Sequence, residues 1–162
     1  GNVDTRIKKA LDPEGPYDAV VFAHAGLERL ELLDVVSEVL DVDIMLPAPG
    51  QGALGIQCRD DEPSRNLLAA LNDDTTELAV VGERAFLSGL GGGCALPICA
   101  MGLVDNGRLD LRGRVLSPDG SNQIDVAGAA DVKNVEDAFA LGKRLAEQAL
   151  SHGADGILNT CK

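Results

Sequence analysis

Apolar positions follow two different periods along this chain, and the points where the period changes divide it into elements. Residues 17–23 (YDAVVFA) form a short unbroken apolar run, the pattern of a strand buried on both faces. From Ala25-Gly26 onward the spacing becomes helical. Leu27, Leu30, Leu33, Val36 and Leu40 recur every three or four residues, while Glu28, Glu31, Asp34 and Glu38 fall on the other side, which predicts an amphipathic crossover helix. Asp41-Val42-Asp43 breaks it. Two prolines and two glycines within 47–52 then mark a connector or hinge, 53–58 (ALGIQC) reads as another strand, and 64–71 as a short helix after Pro63.

Beyond Asn72 the grammar differs. Asp74-Thr75-Thr76-Glu77 has capping-box spacing with Asp74 in the cap, so a helix is expected over 75–88. Four of the five residues 89–93 are glycine, which ends that helix and puts Cys94 on a mobile loop. Three strand-like stretches follow, 99–104, 109–116 and 123–127, separated by the turn signals Asp105-Asn106-Gly107 and Pro118-Asp119-Gly120, an antiparallel meander. Asn134 caps a closing helix to Leu150, with Val135, Phe139, Leu145 and Ala149 as candidate core and Gly153 as its stop. The expected fold class is therefore α/β plus α+β, an α/β segment followed by a small domain of a three-stranded antiparallel sheet with helices on one face. The boundary falls near Asn72, the Pro/Gly stretch is a second joint, and there is no internal repeat or low-complexity segment.

Composition narrows the functions. The chain has 162 residues, 45% hydrophobic and 25% charged, without an apolar run long enough to span a bilayer. Only 2% of residues are aromatic and the net charge is −12, a poor surface for stacking bases or holding phosphates. Nucleic acid and membrane are thus excluded as expected partners. Seventeen Asp against nine Glu, and five Lys against nine Arg, match either salt adaptation or an ordinary acidic surface. Four cysteines without a signal-peptide pattern favour free thiols in a reducing compartment, here the cytoplasm. The chain opens on Gly1 with no initiator Met, so an internal piece of a longer protein is expected.

Cys94 is the leading candidate for chemistry. Glycines before it let a ligand approach the backbone, and exposed N–H groups or a nearby Arg would favour the thiolate. A small buried hydrophobe beside a packing loop is the alternative. Cys94 and Cys99 form C-x4-C, half of a zinc motif, but His24 and His152 stand alone and no second pair completes it, so no metal site is expected. Arg6 and Arg29 suit carboxylate clamps, because guanidinium binds them bidentately and stays charged; ordinary surface pairing, Arg29 with Glu28 or Glu31, is the alternative. Gly50-Gln51-Gly52 reads as a backbone contact to a ligand or as a simple turn. His24 reads as a strand-end histidine, and Asp60-Asp61 as a solvated pair in a loop.

Three stretches together resemble the porphobilinogen deaminase (hydroxymethylbilane synthase) family: GNVDTR at 1–6; AGLERL at 25–30 followed by LPAPGQGA at 46–53; and ERAFL at 83–87 leading to GGCALP at 92–97. Their order fits over essentially the whole chain, as the C-terminal half of a family member. Leu96 and Cys99 depart from the family's usual β-branched and small residues. The resemblance implies that 1–46 is the C-terminal part of a second α/β domain of periplasmic-binding-protein-like fold. It further implies that 47–72 is a hinge and a segment completing the first domain, and that 73–162 is the C-terminal α+β cofactor-attachment domain.

By the same resemblance, Cys94 carries a dipyrromethane cofactor through a thioether, and Arg6 and Arg29 hold acetate and propionate groups of the cofactor or of the growing oligopyrrole. Gly50, Gln51 and Gly52 serve substrate or hinge. The implied reaction joins four porphobilinogen molecules head to tail with release of ammonia. Loss of that ammonia leaves an electrophilic azafulvene, which a thiol or a free pyrrole α-carbon captures. The family's catalytic aspartate falls in the N-terminal half, the expected partner, so this piece alone is expected to be inactive and the full-length protein a monomer. A non-catalytic binding module for an anionic small molecule, or a purely structural domain with an inert Cys94, remains the competing reading.

Overall fold

Both turn signals in the second half of the chain close a hairpin, and they build the one sheet found in the computed structural model, which describes residues 2–93 and 96–160. The elements in chain order are α1 (Val3–Leu11), α2 (His24–Arg29), a 3₁₀ turn (Leu33–Val35), α3 (Glu62–Ala69), α4 (Asp74–Gly89), β1 (Ile98–Asp105), β2 (Arg108–Leu116), β3 (Gln123–Asp131), α5 (Val135–Ser151) and α6 (Ala154–Asn159). The chain divides into two units, one ending at Asp41 and one beginning at Val42.

In the second unit the strands lie antiparallel in the order β1-β2-β3, with Asp105 opposite Arg108 across the first turn and Leu116 opposite Gln123 across the second. Asn106 (φ 48°) and Gly107 (φ 77°) both take the left-handed conformation of a tight two-residue hairpin turn, the role Asn-Gly is suited to. Leu109, Leu111 and Val115 alternate on one face of β2 and are all 1% exposed or less. On that face α4 and α5 pack side by side and complete the core with Phe86, Ala138, Leu141, Leu145, Ala146 and Ala149. The two helices touch closely. A methyl group at Gly142 would collide with the Gly82 carbonyl and come within 2.7 Å of the Ala85 Cβ.

Capping decides the helix ends. Asp73 caps α4, its carboxylate accepting the Thr76 N–H at 2.7 Å, so the cap stands one residue before the expected Asp74. Asn134 caps α5 as expected, accepting from the Asp137 N–H at 2.9 Å. Asp61 caps α3 through the Ser64 N–H at 2.8 Å, which draws Pro63 into the first turn instead of leaving it before the helix. The second member of the acidic pair is therefore a cap. Its neighbour Asp60 takes the Arg65 guanidinium at 2.6 Å.

Several expectations fail, each for a physical reason. Neither 17–23 nor 53–58 is a strand, because a strand exists only as a paired element and no described segment pairs with either. The long crossover helix is reduced to α2 and the 3₁₀ turn. Glu28, Glu31, Asp34 and Glu38 would stack like charges three and four residues apart along it. Instead α2 stops at once: Glu31 turns left-handed (φ 56°), and the Glu31 and Leu32 N–H groups return to the Glu28 and Leu27 carbonyls, both at 3.0 Å. Leu27 is buried, while Leu30 and Leu33 stay exposed. In α5, Phe139 is 47% exposed and is not core, since Ala138, Leu141, Leu145 and Ala149 define the buried stripe and Phe139 lies a third of a turn away. Its ring carries the Lys143 ammonium 5.7 Å from the centroid. β3 runs on to Asp131 because β2 offers a ladder partner that far, overriding the weak strand propensity of Gly128-Ala129-Ala130.

Candidate functional site

The loop that leads to Cys94 begins where α4 ends. Gly89 is still helical; Leu90 is the C-cap, and Gly91 (φ 89°) makes the left-handed turn that L side chains rarely adopt. The Gly91 N–H returns to the Ser88 carbonyl at 3.2 Å and the Gly92 N–H to the Leu87 carbonyl at 3.0 Å. Cys94 itself, and with it the expected mobile loop, lies outside the described residues, as does Cys161. The far side is anchored. Leu96 packs against the core, and the Pro97 carbonyl accepts the Leu116 N–H at 3.0 Å just before β1 begins. Among the described residues nothing lies within 4 Å of where a Cβ of residue 91 would stand, and at Gly93 only the Leu96 Cγ does, at 3.9 Å.

Of the other thiols, Cys58 is exposed and Cys99 half-buried on β1. Burial pushes the Cys99 thiol above its ordinary range, and Arg114, its partner across the ladder, offsets this only in part. Burial thus disfavours the thiolate at Cys99. Its neighbours are on the sheet face turned away from α4 and α5. There the Arg114 Nε donates to Asp125 Oδ1 at 2.6 Å and Gln123 Nε2 to Asp125 Oδ2 at 2.5 Å. Burial acts to raise the Asp125 carboxyl, yet these hydrogen bonds outweigh it and hold the group below its usual value. Arg112 pairs with Asp43 at 2.5 Å beside them, and a depression of about 280 Å³ lies between Leu46, Arg112, Arg114 and Asp125.

Arg6 is exposed on α1 and Arg29 exposed at the end of α2. Among the described residues neither is in an ion pair, so both guanidinium groups face solvent rather than Glu28 or Glu31. His24 is an exposed first residue of α2, not a strand end.

Gly50-Gln51-Gly52 belongs to a tight turn. Gly50 has φ 72°, Gln51 N–H donates to the Ala48 carbonyl at 3.1 Å, and Gln51 and Gly52 are exposed. The turn is tied to α4 by a residue that pattern reading passed over. Glu83, 8% exposed, accepts the Gly50 N–H on Oε2 at 2.6 Å and the Gly102 N–H on Oε1 at 2.7 Å. The available signal was a charge on the apolar stripe of α4, four residues after Ala79 and three before Phe86, both buried.

Comparison with known proteins matches two stretches of the chain. The family described as porphobilinogen deaminase, dipyromethane cofactor binding domain, matches residues 1–66, and the porphobilinogen deaminase C-terminal domain matches 77–151. The porphobilinogen deaminase of Chlorobaculum parvum is 46% identical over 98% of this chain and 50% of its own length. That of Syntrophotalea carbinolica is 46% identical over 98% and 49%, and that of Brevibacillus brevis 44% over 98% and 50%. The chain spans about half the length of the curated relatives it matches.

Proposed function

Because this chain belongs to the porphobilinogen deaminase family, we propose that it is the C-terminal part of an enzyme that condenses four porphobilinogen molecules head to tail into hydroxymethylbilane, a transferase of tetrapyrrole and heme biosynthesis. The observation that carries this reading is the match of both family domains, in order, across a chain whose one thiol after a glycine turn is Cys94. The glycine turn suits a bulky adduct, since positions 91 and 93 carry no side chains and, among the described residues, little else approaches them. A thiol is also the donor that a thioether requires.

Cys94 is the residue that holds the dipyrromethane. That group, when bound, supplies a free pyrrole α-carbon for chain growth. Arg6 and Arg29, cationic, exposed and in no ion pair among the described residues, bind the acetate and propionate carboxylates that each pyrrole ring brings. A net charge of −12 does not oppose this, because the local guanidinium field decides binding within a Debye length. Residues 50–52 act at the hinge. The chain divides into 1–46, 47–72 and 73–162; the gap between the two family matches, after 66 and before 77, supports the second of these boundaries, and the first rests on the resemblance alone. In the whole protein, 1–72 completes α/β domains of periplasmic-binding-protein-like fold. The N-terminal half supplies the catalytic aspartate, and the enzyme is a cytoplasmic monomer that uses neither nucleic acid nor membrane.

Intact mass and a tryptic digest of the full-length protein test this reading. The Cys94 peptide is expected to carry the dipyrromethane increment. Cys94→Ser should remove it, while changing Cys58, Cys99 or Cys161 singly leaves it in place. A bare Cys94 peptide in active enzyme, with the increment on another cysteine, overturns the assignment. A bare polypeptide that binds anionic pyrroles without turnover favours the non-catalytic binding module.

A further inference from the structure

We propose that Glu83 is a positioning residue that seats the 47–52 connector on the edge of β1. Among the described residues this strand pairs only with β2, so the backbone groups along its outer edge need partners from elsewhere. Ala100 N–H donates to the Pro47 carbonyl at 3.0 Å, and Gly102 N–H to Glu83 Oε1 at 2.7 Å. The second carboxylate oxygen takes the Gly50 N–H at 2.6 Å. One buried side chain thereby ties its own helix to a strand edge 19 residues away in sequence and to a turn 33 residues away.

Both partners are donors, so the residue between them has to accept on both oxygens. A carboxylate does so; a carboxamide of the same size presents one oxygen and one NH₂, and the NH₂ faces an N–H it cannot bond. The turn is also confined from the side, with Arg84 Nε and Val80 Cγ1 3.6 and 3.8 Å from where a Gly50 Cβ would stand. β1 begins four residues after Cys94. Glu83 therefore sets where residues 50–52 lie relative to the strand that follows the cofactor loop. The catalytic consequence rests on the functional reading above; the seating does not.

The test uses the full-length protein and Glu83→Gln, an isostere that a purely space-filling role would tolerate. Hydrogen exchange at the Gly50 and Gly102 amides should accelerate about tenfold or more in the variant, while amides of the β2–β3 ladder keep their protection and report an intact fold. With porphobilinogen, kcat should fall while KM stays within about twofold, because both Glu83 oxygens are engaged by the Gly50 and Gly102 amides and the residue acts through the connector. Unchanged protection of Gly50 and Gly102 in folded Glu83→Gln overturns the proposal. If the variant does not fold, the wild-type rates decide: slow exchange at both amides supports the seat, and unstructured rates at Gly50 overturn it. The pyrrole mass on Cys94 is read separately, so a failed functional reading is distinguishable from a failed seat.

Discussion

Phe86 is the side chain against which the sheet and α4 are fitted. It is fully buried, and a methyl group at Gly113 of β2 would lie within 2.6 Å of its ring atom Cε1, so the ring rests directly on the strand backbone. Phe86→Ala would leave a cavity in a core too small to collapse around it, and should cost about 3–5 kcal/mol in denaturant unfolding. At the surface, acid is the lever. The Thr75 hydroxyl and Thr76 N–H hold the Asp73 carboxyl down from 3.8 to about 2. A lowered folded pKa means the cap contributes stability above the ordinary value and loses it as pH falls through about 2. Asn at this position caps without titrating. Between pH 4 and 2 the melting temperature of Asp73→Asn should therefore fall less than that of wild type, and equal slopes would remove the cap from the account of acid unfolding.

Among elements, the α4–α5 contact is the tightest. Gly142→Ala would push a methyl group into the Gly82 carbonyl and the Ala85 side chain, so the helices must separate or tilt. Overpacking of this kind costs about 1–3 kcal/mol, and a midpoint shift in urea without a change of slope is the expected signature. The stop of α4 is a different kind of feature. Gly91 and Gly92 return their N–H groups to the last turn, so the helix ends at a definite residue. The same capping geometry at Glu31 uses a residue with a Cβ, and it interrupts an apolar spacing that would have run on for two more turns.

Over the whole molecule, order is uneven. β1, β2, β3, α4 and α5 share one core, whereas stretches such as 17–23 and 53–58 have neither helix nor ladder, and Leu54, Val39 and Ile44 are 91%, 67% and 65% exposed. Apolar side chains and backbone groups in that condition suit pairing with further chain, in keeping with relatives twice as long. In this 162-residue chain, amide exchange over 17–23 and 54–58 should approach that of an unfolded peptide while the Gly50 amide, held by Glu83, and the β2–β3 ladder are protected. Uniform protection would make those stretches self-sufficient and the division into 1–46, 47–72 and 73–162 untenable.

The meander and its turns, α4 and α5, the Asn134 cap and the glycine stop could all be read along the chain, because each depends on residues a few positions apart. The family was legible for the same reason, being carried by short contiguous motifs. The strands at 17–23 and 53–58 were misread because an apolar run states that a segment wants burial and says nothing of what will pair with it. Phe139 was misassigned because helical phase is set by the face the sheet presents to α5. In the sequence Glu83 stands out only as the first residue of the ERAFL stretch; its role arises where the edge of β1, the turn at Gly50 and one face of α4 meet. Such a meeting depends on how distant segments come together in space, a relation that local spacing does not encode.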